Sequence, residues 1–180
     1  MGTTADPVVL NLGCGFNKLP PPAINVDGFA VCEPDVLWNL NETPYPWDDE
    51  SVDVIHAWHI FEHLEDWWEC FNECARILRK GGVLHIRVPD ESSSTALTYR
   101  DHLHVFDFVS FHGVVGATHG TSAWAKDQNE SVPLKMIEYY RVPFPQYQWM
   151  IRWAPWLLEF CARHLRNFIW EQRFIFMKVR

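Results

Sequence analysis

The sequence predicts an α/β fold with a mostly parallel sheet, and two patterns support this prediction. Short apolar runs recur along the chain and are closed by glycine, proline, asparagine or aspartate, as expected of strands buried in a sheet. A longer segment, residues 62–79, repeats its apolar residues at intervals of three and four and is predicted to be an amphipathic helix. Strands that alternate with loops and a helix are typical of a doubly wound sheet.

The predicted elements can be placed in chain order. The strands are Pro7–Leu12, Ala23–Val26, Val36–Leu40, Ser51–Ala57, Val83–Val88, Leu134–Val142 and Arg173–Val179. The helix 62–79 is expected to end at Gly81–Gly82, because glycine accepts the backbone conformation that closes many helices. A length of 180 residues suits one core, so residues 1–180 are predicted to form one domain.

A second predicted helix covers residues 155–169. Its apolar stripe consists of Leu157, Phe160, Cys161, Leu165 and Phe168. The width of the stripe suits packing on the sheet, and the alternative is that this basic, aromatic helix lies on an anionic membrane surface.

Composition and charge exclude several classes of function. With 15 Lys and Arg against 23 Asp and Glu, the net charge of −8 argues against non-specific binding of nucleic acid. The charge is uneven, since residues 1–140 carry −13 and residues 141–180 carry +5. No apolar run is long enough to cross a membrane, and the first residues do not resemble a signal peptide. Five cysteines without a CxxC pair predict a reduced, cytoplasmic protein.

The segment VVLNLGCGF, residues 8–16, is the first that suggests a ligand. A strand that breaks into Gly-x-Gly lets backbone N–H groups approach a ligand closely, although a tight structural turn has the same pattern. Asp27 ends the next strand, where a carboxylate can bind a ribose diol. A dinucleotide is not expected, because Lys18 replaces the third glycine and Pro20–Pro22 exclude the helix that would follow.

Four blocks in this order resemble the class I S-adenosylmethionine-dependent methyltransferases, in particular small bacterial and phage members of the type 11 group. The blocks are LNLGCG, INVDG, PYPWDDESVDVIHAWHIFEHL and ILRKGGVLHIRVPD, and they cover residues 8–90. The resemblance implies a Rossmann-like sheet of seven mostly parallel strands, with the helix after the first strand reduced or absent. It also implies that residues 90–131 form an irregular insertion on the substrate side of this domain.

The resemblance implies the transfer of a methyl group from S-adenosyl-L-methionine to an acceptor. A small molecule, a glycan or a lipid-linked molecule is a more suitable acceptor than nucleic acid, given the negative charge. The alternative is a non-catalytic cofactor-binding or scaffolding module of the same fold. The implied cofactor-binding residues are Leu12, Gly13, Cys14, Gly15, Lys18, Asp27, Gly28, Asn39, Leu40, Ala57, Trp58 and His63.

Three of these residues have specific expected roles. Asp27 is expected to bind the ribose hydroxyls, and Asn39 stands near the adenine where the family commonly has aspartate. Lys18 either pairs with the carboxylate of the cofactor or is a solvated loop residue.

The histidines suggest a base rather than a metal. His59 and His63 have the spacing of a zinc motif, but the glutamate stands at position 62 instead of directly after His59, so no metal site is predicted. His104 lies after the fifth strand, where the resemblance places the acceptor, and is predicted to take its proton with Asp101 as the orienting group. The alternatives for these residues are a structural histidine or a metal ligand.

Overall fold

The computed structural model describes residues 6–112 and 132–179 and contains one seven-stranded sheet. The strands are β1 (Val9–Leu12), β2 (Ala23–Asp27), β3 (Val36–Leu37), β4 (Val52–Trp58), β5 (Leu78–Pro89), β6 (Leu134–Pro143) and β7 (Ile169–Lys178). Their order is β3-β2-β1-β4-β5-β7-β6. The first five strands are parallel, and β7 inserts between β5 and β6 antiparallel to both. The predicted fold class is therefore confirmed.

The helices are shorter than the sequence suggests. They are α1 (Trp67–Ile77), α2 (Thr95–Thr98), α3 (Phe108–His112), α4 (Trp149–Trp153) and α5 (Pro155–His164). The Asp66 side chain caps α1 by accepting a hydrogen bond from the Glu69 backbone N–H. The predicted end at Gly81–Gly82 is wrong, because the chain enters β5 at Leu78, which already pairs with Val52.

One face of the sheet forms the core. The α1 residue Phe71 and the α3 residue Phe111 pack on it and contact Phe176 with ring centroids 5.3 and 5.9 Å apart. On the opposite face the alternate residues of β4 and β5, such as His56 and His85, are only partly buried. Within the described ranges, a doubly wound arrangement with two equally covered faces is thus not formed.

A ladder of polar side chains holds the loop after β1, where no helix forms before β2. Asn11 Nδ2 donates to Asn25 Oδ1 at 2.9 Å, and Asn25 Nδ2 donates to Asp35 Oδ2 at 2.8 Å. Asn25 also exchanges hydrogen bonds with the backbone of Leu19 in the loop. This ladder lies where a helix would otherwise pack, and the reduced helix predicted from the prolines is confirmed.

The second half of the chain differs from the prediction in two places. Of the irregular segment 90–131, residues 90–112 form α2, α3 and connecting turns, and residues 113–131 lie outside the described part. The stripe predicted for helix 155–169 does not pack on the sheet as a whole, since Phe160 and Leu165 are exposed. Cys161 is buried. No helix among the described residues is long and apolar enough to cross a bilayer.

Candidate functional site

A cavity of about 560 Å³ opens at the carboxyl ends of β1, β2 and β4. This edge is where ligands bind in open parallel α/β sheets, and the volume is in the range of small-molecule sites. The lining residues are Gly13, Asp27, Gly28, Phe29, Asn39, Leu40, Asn41, Ile60, His63, Leu64 and Asp101.

The glycine turn after β1 forms one wall of the cavity. Gly13 has a φ of +64°, and a Cβ there would lie 2.5 Å from Cγ1 of Ile60, so no side chain fits. Gly15 also has a positive φ, of +49°, but its surroundings are open. The turn therefore needs glycine at position 13 for close packing, and at both positions for its backbone conformation.

Asp27 connects this turn to the loop after β2. Its carboxylate is almost buried and accepts hydrogen bonds from the backbone N–H groups of Gly15, at 2.8 Å, and Phe29, at 2.9 Å. A carboxylate has about four acceptor positions, so Asp27 keeps capacity for further donors from the cavity. Its two roles are to fix both loops and to present a negative charge to the cavity.

Asn39 closes the far side of the cavity and makes local contacts. Its Nδ2 donates to Oε1 of Glu42 at 3.2 Å, and its Oδ1 accepts from the Asn41 backbone N–H at 3.2 Å. An aspartate at this position would place a second negative charge beside Glu42. The amide of Asn39 avoids this repulsion and donates to Glu42 instead.

His63 and Asp101 lie together at the cavity wall. His63 Nδ1 is 3.1 Å from the backbone O of Asp101 and 3.3 Å from its Oδ2. The segment after β5 reaches this position because the Glu62 backbone O accepts hydrogen bonds from Leu103 and His104. The structure thus pairs Asp101 with His63 and not with His104.

His59 forms a charge network with the carboxylates of Glu62 and Glu171, close to His63 in the sequence. His59 lies 3.3 Å from Oε1 of Glu62 and 2.9 Å from Oε2 of Glu171, and both carboxylates are almost fully buried. Burial alone would lower the pKa of His59, but its hydrogen bonds to the two carboxylates raise it to about 9. Burial also opposes the charged form of Glu171, whereas bonds to His59 and Arg173 hold its pKa below the usual value.

One cluster has the donor types of a metal site. Glu62, His63 and His102 each place a ligand atom within 4.8 Å of the others. Glu62, however, is already paired with His59 at 3.3 Å. Of the three residues, only His63 lines the cavity.

Six of the twelve predicted cofactor-binding residues line the cavity. These are Gly13, Asp27, Gly28, Asn39, Leu40 and His63. Leu12, Cys14 and Ala57 are buried behind its wall, and Gly15 contributes its N–H to Asp27. Lys18 and Trp58 point elsewhere, because Lys18 Nζ bonds the backbone O of Glu33 and the Trp58 ring stacks 3.8 Å from the Arg87 guanidinium.

His104 does not line the cavity. Its Nε2 is 2.8 Å from the backbone O of Leu64, and this contact fixes the segment after β5. The lining residues that the sequence analysis missed are Phe29, Asn41, Ile60 and Leu64. Phe29 directly follows Asp27–Gly28, and Ile60 and Leu64 belong to the block PYPWDDESVDVIHAWHIFEHL. Their closeness to these motifs in the sequence could have indicated that they line the site.

A second cavity, of about 520 Å³, opens at the opposite edge of the sheet. Its charged lining residues pair with each other, Arg76 with Asp49 at 2.7 Å and Lys178 with Glu50 at 3.3 Å. The glycine turn and the carboxylate of Asp27 are at the first cavity, which is therefore the candidate site.

Comparison with known proteins relates one segment of the chain to a family. Residues 32–86 match the family model described as "Methyltransferase domain". A probable S-adenosylmethionine-dependent methyltransferase of Mycolicibacterium smegmatis is 44% identical over 52 residues, which are 29% of this chain and 20% of that protein. The chain thus spans about a fifth of the length of this curated relative.

Solved structures extend the similarity to nearly the whole chain, at the level of the fold. An S-adenosylmethionine-dependent methyltransferase from Archaeoglobus fulgidus has a TM-score of 0.64 at 15% identity, over 96% of this chain and 86% of that one. Phosphoethanolamine N-methyltransferase 2 of Haemonchus contortus, solved with S-adenosyl-L-methionine, has a TM-score of 0.60 at 12% identity, over 99% of this chain and 50% of that one.

The chain thus has the class I methyltransferase fold. Within it, residues 32–86 match the methyltransferase-domain family model. The resemblance inferred from the sequence is confirmed.

Proposed function

We propose that this protein transfers a methyl group from S-adenosyl-L-methionine to an acceptor. The observation that carries the proposal is the position of Asp27 and the Gly13 turn on one cavity at the carboxyl edge of the sheet. The methyltransferase-domain match and the cofactor named for the solved neighbour support the choice of ligand. When bound, the cofactor supplies an electrophilic methyl group on a sulfonium.

The residues of the cavity fit such a ligand. The Asp27 carboxylate would accept hydrogen bonds from the ribose hydroxyls while its bonds to Gly15 and Phe29 keep it in place. Leu40 and Asn39 would border the adenine on the β3 side, and Gly13 would allow close approach on the β1 side. These groups act mainly by alignment of donor and acceptor, which can supply about 7–11 kcal/mol.

For an acceptor that carries a proton, we propose His63 as the base. Its Nδ1 faces a backbone carbonyl, which can only accept a hydrogen bond, so Nδ1 is the protonated nitrogen of the neutral ring. Nε2 is then free to take a proton, and Asp101 would stabilise the resulting charge. His104 is the alternative base, as predicted from the sequence.

The nature of the acceptor and the compartment belong to the same proposal. The acidic surroundings of the cavity, with Asp27, Glu42 and Asp101, suit a small molecule, a glycan or a lipid-linked acceptor better than nucleic acid. A reducing cytoplasm suits the five cysteines, all of which are free and buried.

Calorimetric titration of the wild-type chain with S-adenosylhomocysteine tests the cofactor assignment, with NAD as the control nucleotide. We expect saturable binding of the first compound only. At about 100 times its Kd the ligand adds about 2.7 kcal/mol to the free energy of unfolding, which raises the melting temperature. Neither heat nor thermal shift with S-adenosylmethionine or its product would exclude the proposal and favour a scaffolding module.

A pair of variants tests the base. Transfer of tritiated methyl groups from S-adenosylmethionine to cell-extract fractions is compared for His63→Ala and His104→Ala. We expect His63→Ala to lower transfer about 10²- to 10⁴-fold. Because this variant loses its bond to the Asp101 backbone, its melting temperature and its affinity for S-adenosylhomocysteine are measured as well. His104→Ala should lower the melting temperature first, because it loses the bond to Leu64. A stable His104→Ala protein without transfer would instead support His104.

A further inference from the structure

The segment between β6 and β7 exposes an unusual number of large apolar side chains. It comprises residues 145–168, with α4 and α5, and we call it the α4–α5 hairpin. Trp153 and Trp156, the most exposed of them, are each 73% accessible. The exposed apolar residues of the hairpin are Trp149, Ile151, Trp153, Trp156, Phe160 and Leu165.

Helical spacing places four of these side chains on helix faces in two pairs. Trp149 and Trp153 are four residues apart in α4, and Trp156 and Phe160 are four apart in α5, so each pair shares one helix face. Ala154 lies between the two helices. The exposed apolar residues are therefore concentrated in one segment, whereas those of an ordinary monomer are mostly scattered singly.

The charges of the hairpin are positive. Arg152, Arg163 and Arg166 are exposed, and its sole acidic residue, Glu159, is paired with Arg163 at 2.8 Å. The Arg152 guanidinium lies 5.3 Å from the Trp153 ring centroid, so cation and aromatic group share the same patch. Residues 1–140 carry a net charge of −13, so the excess of positive charge is restricted to the C-terminal region.

The hairpin is attached near the carboxyl edge of the sheet. The Asn167 side chain accepts a hydrogen bond from the Ser94 backbone N–H at 2.6 Å, after β5. The Phe144 backbone N–H donates to the Phe168 backbone O at 3.0 Å, which closes the base of the hairpin. Met150 and Cys161 are buried, whereas the aromatic surface faces outward.

We propose that the α4–α5 hairpin is a peripheral docking surface for an anionic lipid bilayer. Tryptophan and arginine together suit the interface, where aromatic rings enter the headgroup region and guanidinium groups meet phosphates. Charge complementarity decides the occupant. A symmetric contact with a second copy would bring like-charged arginines together, whereas an anionic bilayer meets them with the opposite charge.

Co-sedimentation with vesicles tests this proposal on the wild-type chain. The probe vesicles are pure phosphatidylcholine and an equal mixture of phosphatidylcholine and phosphatidylglycerol. We expect at least about tenfold stronger binding to the anionic vesicles. Raising the salt from about 0.1 M to about 1 M shortens the Debye length from about 10 Å to about 3 Å and should release the protein. Equal binding to both vesicles, or none, would overturn the proposal.

Variants locate the surface. Trp153→Ser with Trp156→Ser should lower binding to anionic vesicles at least tenfold, whereas Phe16→Ala should leave it unchanged. Phe16 is 77% exposed and lies after β1, which β4 and β5 separate from β7 in the sheet. The charge-only variant Arg152→Gln, Arg163→Gln, Arg166→Gln keeps the aromatic surface and should also lose binding. The assignment would be refuted if the tryptophan variant and the arginine variant both bound vesicles as strongly as the wild-type chain. It would also be refuted if sedimentation velocity showed a wild-type dimer that the tryptophan substitutions dissociate.

Discussion

Asp27 holds two loops in place and is proposed to bind the ribose, and two substitutions at this position should weaken cofactor binding to different extents. Asp27→Ala removes the acceptor for Gly15 and Phe29 as well as the group that would bind the ribose. We expect the affinity for S-adenosylhomocysteine to fall by about 1.5–3 kcal/mol, or about 10- to 150-fold. Asp27→Asn keeps one oxygen and should lose less. Calorimetric titration measures both.

The control for Asp27 is Asp49→Ala. Asp49 is an exposed carboxylate paired with Arg76 at the opposite edge of the sheet, so its removal should leave cofactor affinity unchanged. Full affinity in Asp27→Ala would place the ribose elsewhere and contradict the assigned cavity.

His59 gives the folded state a dependence on pH. Its pKa is raised from 6.5 to about 9 by Glu171 and Glu62, so the folded state holds the proton more tightly than the unfolded chain. The stabilisation is therefore complete below about pH 6.5 and is lost as the pH rises towards 9. Urea denaturation between pH 6 and pH 9.5 should show the wild-type chain losing stability relative to His59→Asn.

Asparagine is the suitable replacement for His59. The φ of this residue is +54°, a conformation that asparagine tolerates better than most residues, so backbone strain stays similar in both proteins. Parallel stability curves for the two proteins across this pH range would show that the network does not hold a proton.

At the residue scale, the sequence predicted those site residues whose position depends on the local backbone at the end of a strand. Gly13 directly follows β1, Asp27 is the last residue of β2, and both line the cavity. The pairing of His63 with Asp101 was not predictable, because it depends on how the segment after β5 folds onto Glu62. Tertiary contacts of this kind leave no periodic signal in the chain.

At the scale of elements, the loop after β1 depends on the ladder of Asn11, Asn25 and Asp35. Asn25→Leu would leave the Leu19 backbone N–H without its partner and the Asn11 amide with only its 3.3 Å bond to the Asn17 backbone O. Unpaired buried donors cost about 1–3 kcal/mol each, so the free energy of unfolding should fall by at least that amount. Urea denaturation measures the loss, and amide exchange over residues 13–22 should become faster.

Asn72→Leu is the matched control for the ladder. Asn72 is a partly buried asparagine on α1, away from the loop after β1. Exchange in residues 13–22 should be as slow in this variant as in the wild-type chain. If Asn25→Leu exchanges just as slowly, the loop is held by something other than the ladder.

Element boundaries show where local patterns lose their value. The apolar repeat of α1 continues past Ile77, but pairing of Leu78 with Val52 turns the same residues into a strand. The apolar stripe of α5 correctly indicated a helix, but the prediction that the whole stripe packs on the sheet was wrong. Periodicity shows that a helix face is apolar and does not show what covers it.

At the scale of the whole molecule, one buried ion pair joins strands that are not neighbours. Asp90, at the end of β5, is fully buried and accepts two hydrogen bonds from Arg141 of β6, at 2.7 and 2.6 Å, across the intervening β7. Arg141→Met should lower the free energy of unfolding by about 3–5 kcal/mol, because it leaves a buried carboxylate without its cation.

Arg163→Met provides the comparison for this loss. Arg163 forms an ion pair with Glu159 in which both side chains are exposed, and such pairs contribute at most about 1 kcal/mol. Urea denaturation of the two variants should therefore differ several-fold in the stability lost. Equal losses would mean that Asp90 finds sufficient partners in Ser92 and the nearby backbone.

The sheet order itself could not be predicted from local patterns. The apolar runs indicated the strands, but no run indicates that β7 lies between β5 and β6. The length of β3 was predicted wrongly. The apolar run at 36–40 forms a strand of only Val36–Leu37, and the chain then turns to form the cavity wall.

The position of β7 between β5 and β6 has a consequence for biosynthesis. β7 is the last strand in chain order, yet Val83 of β5 pairs with Met177 and Leu134 of β6 pairs with Lys178. Until the ribosome has released residues 169–178, the growing chain carries two unpaired strand edges, and such edges recruit other chains. Closure of so long a loop is also slow. Substitutions that delay the docking of β7 will therefore reduce the yield of folded protein even when they leave the finished molecule unchanged.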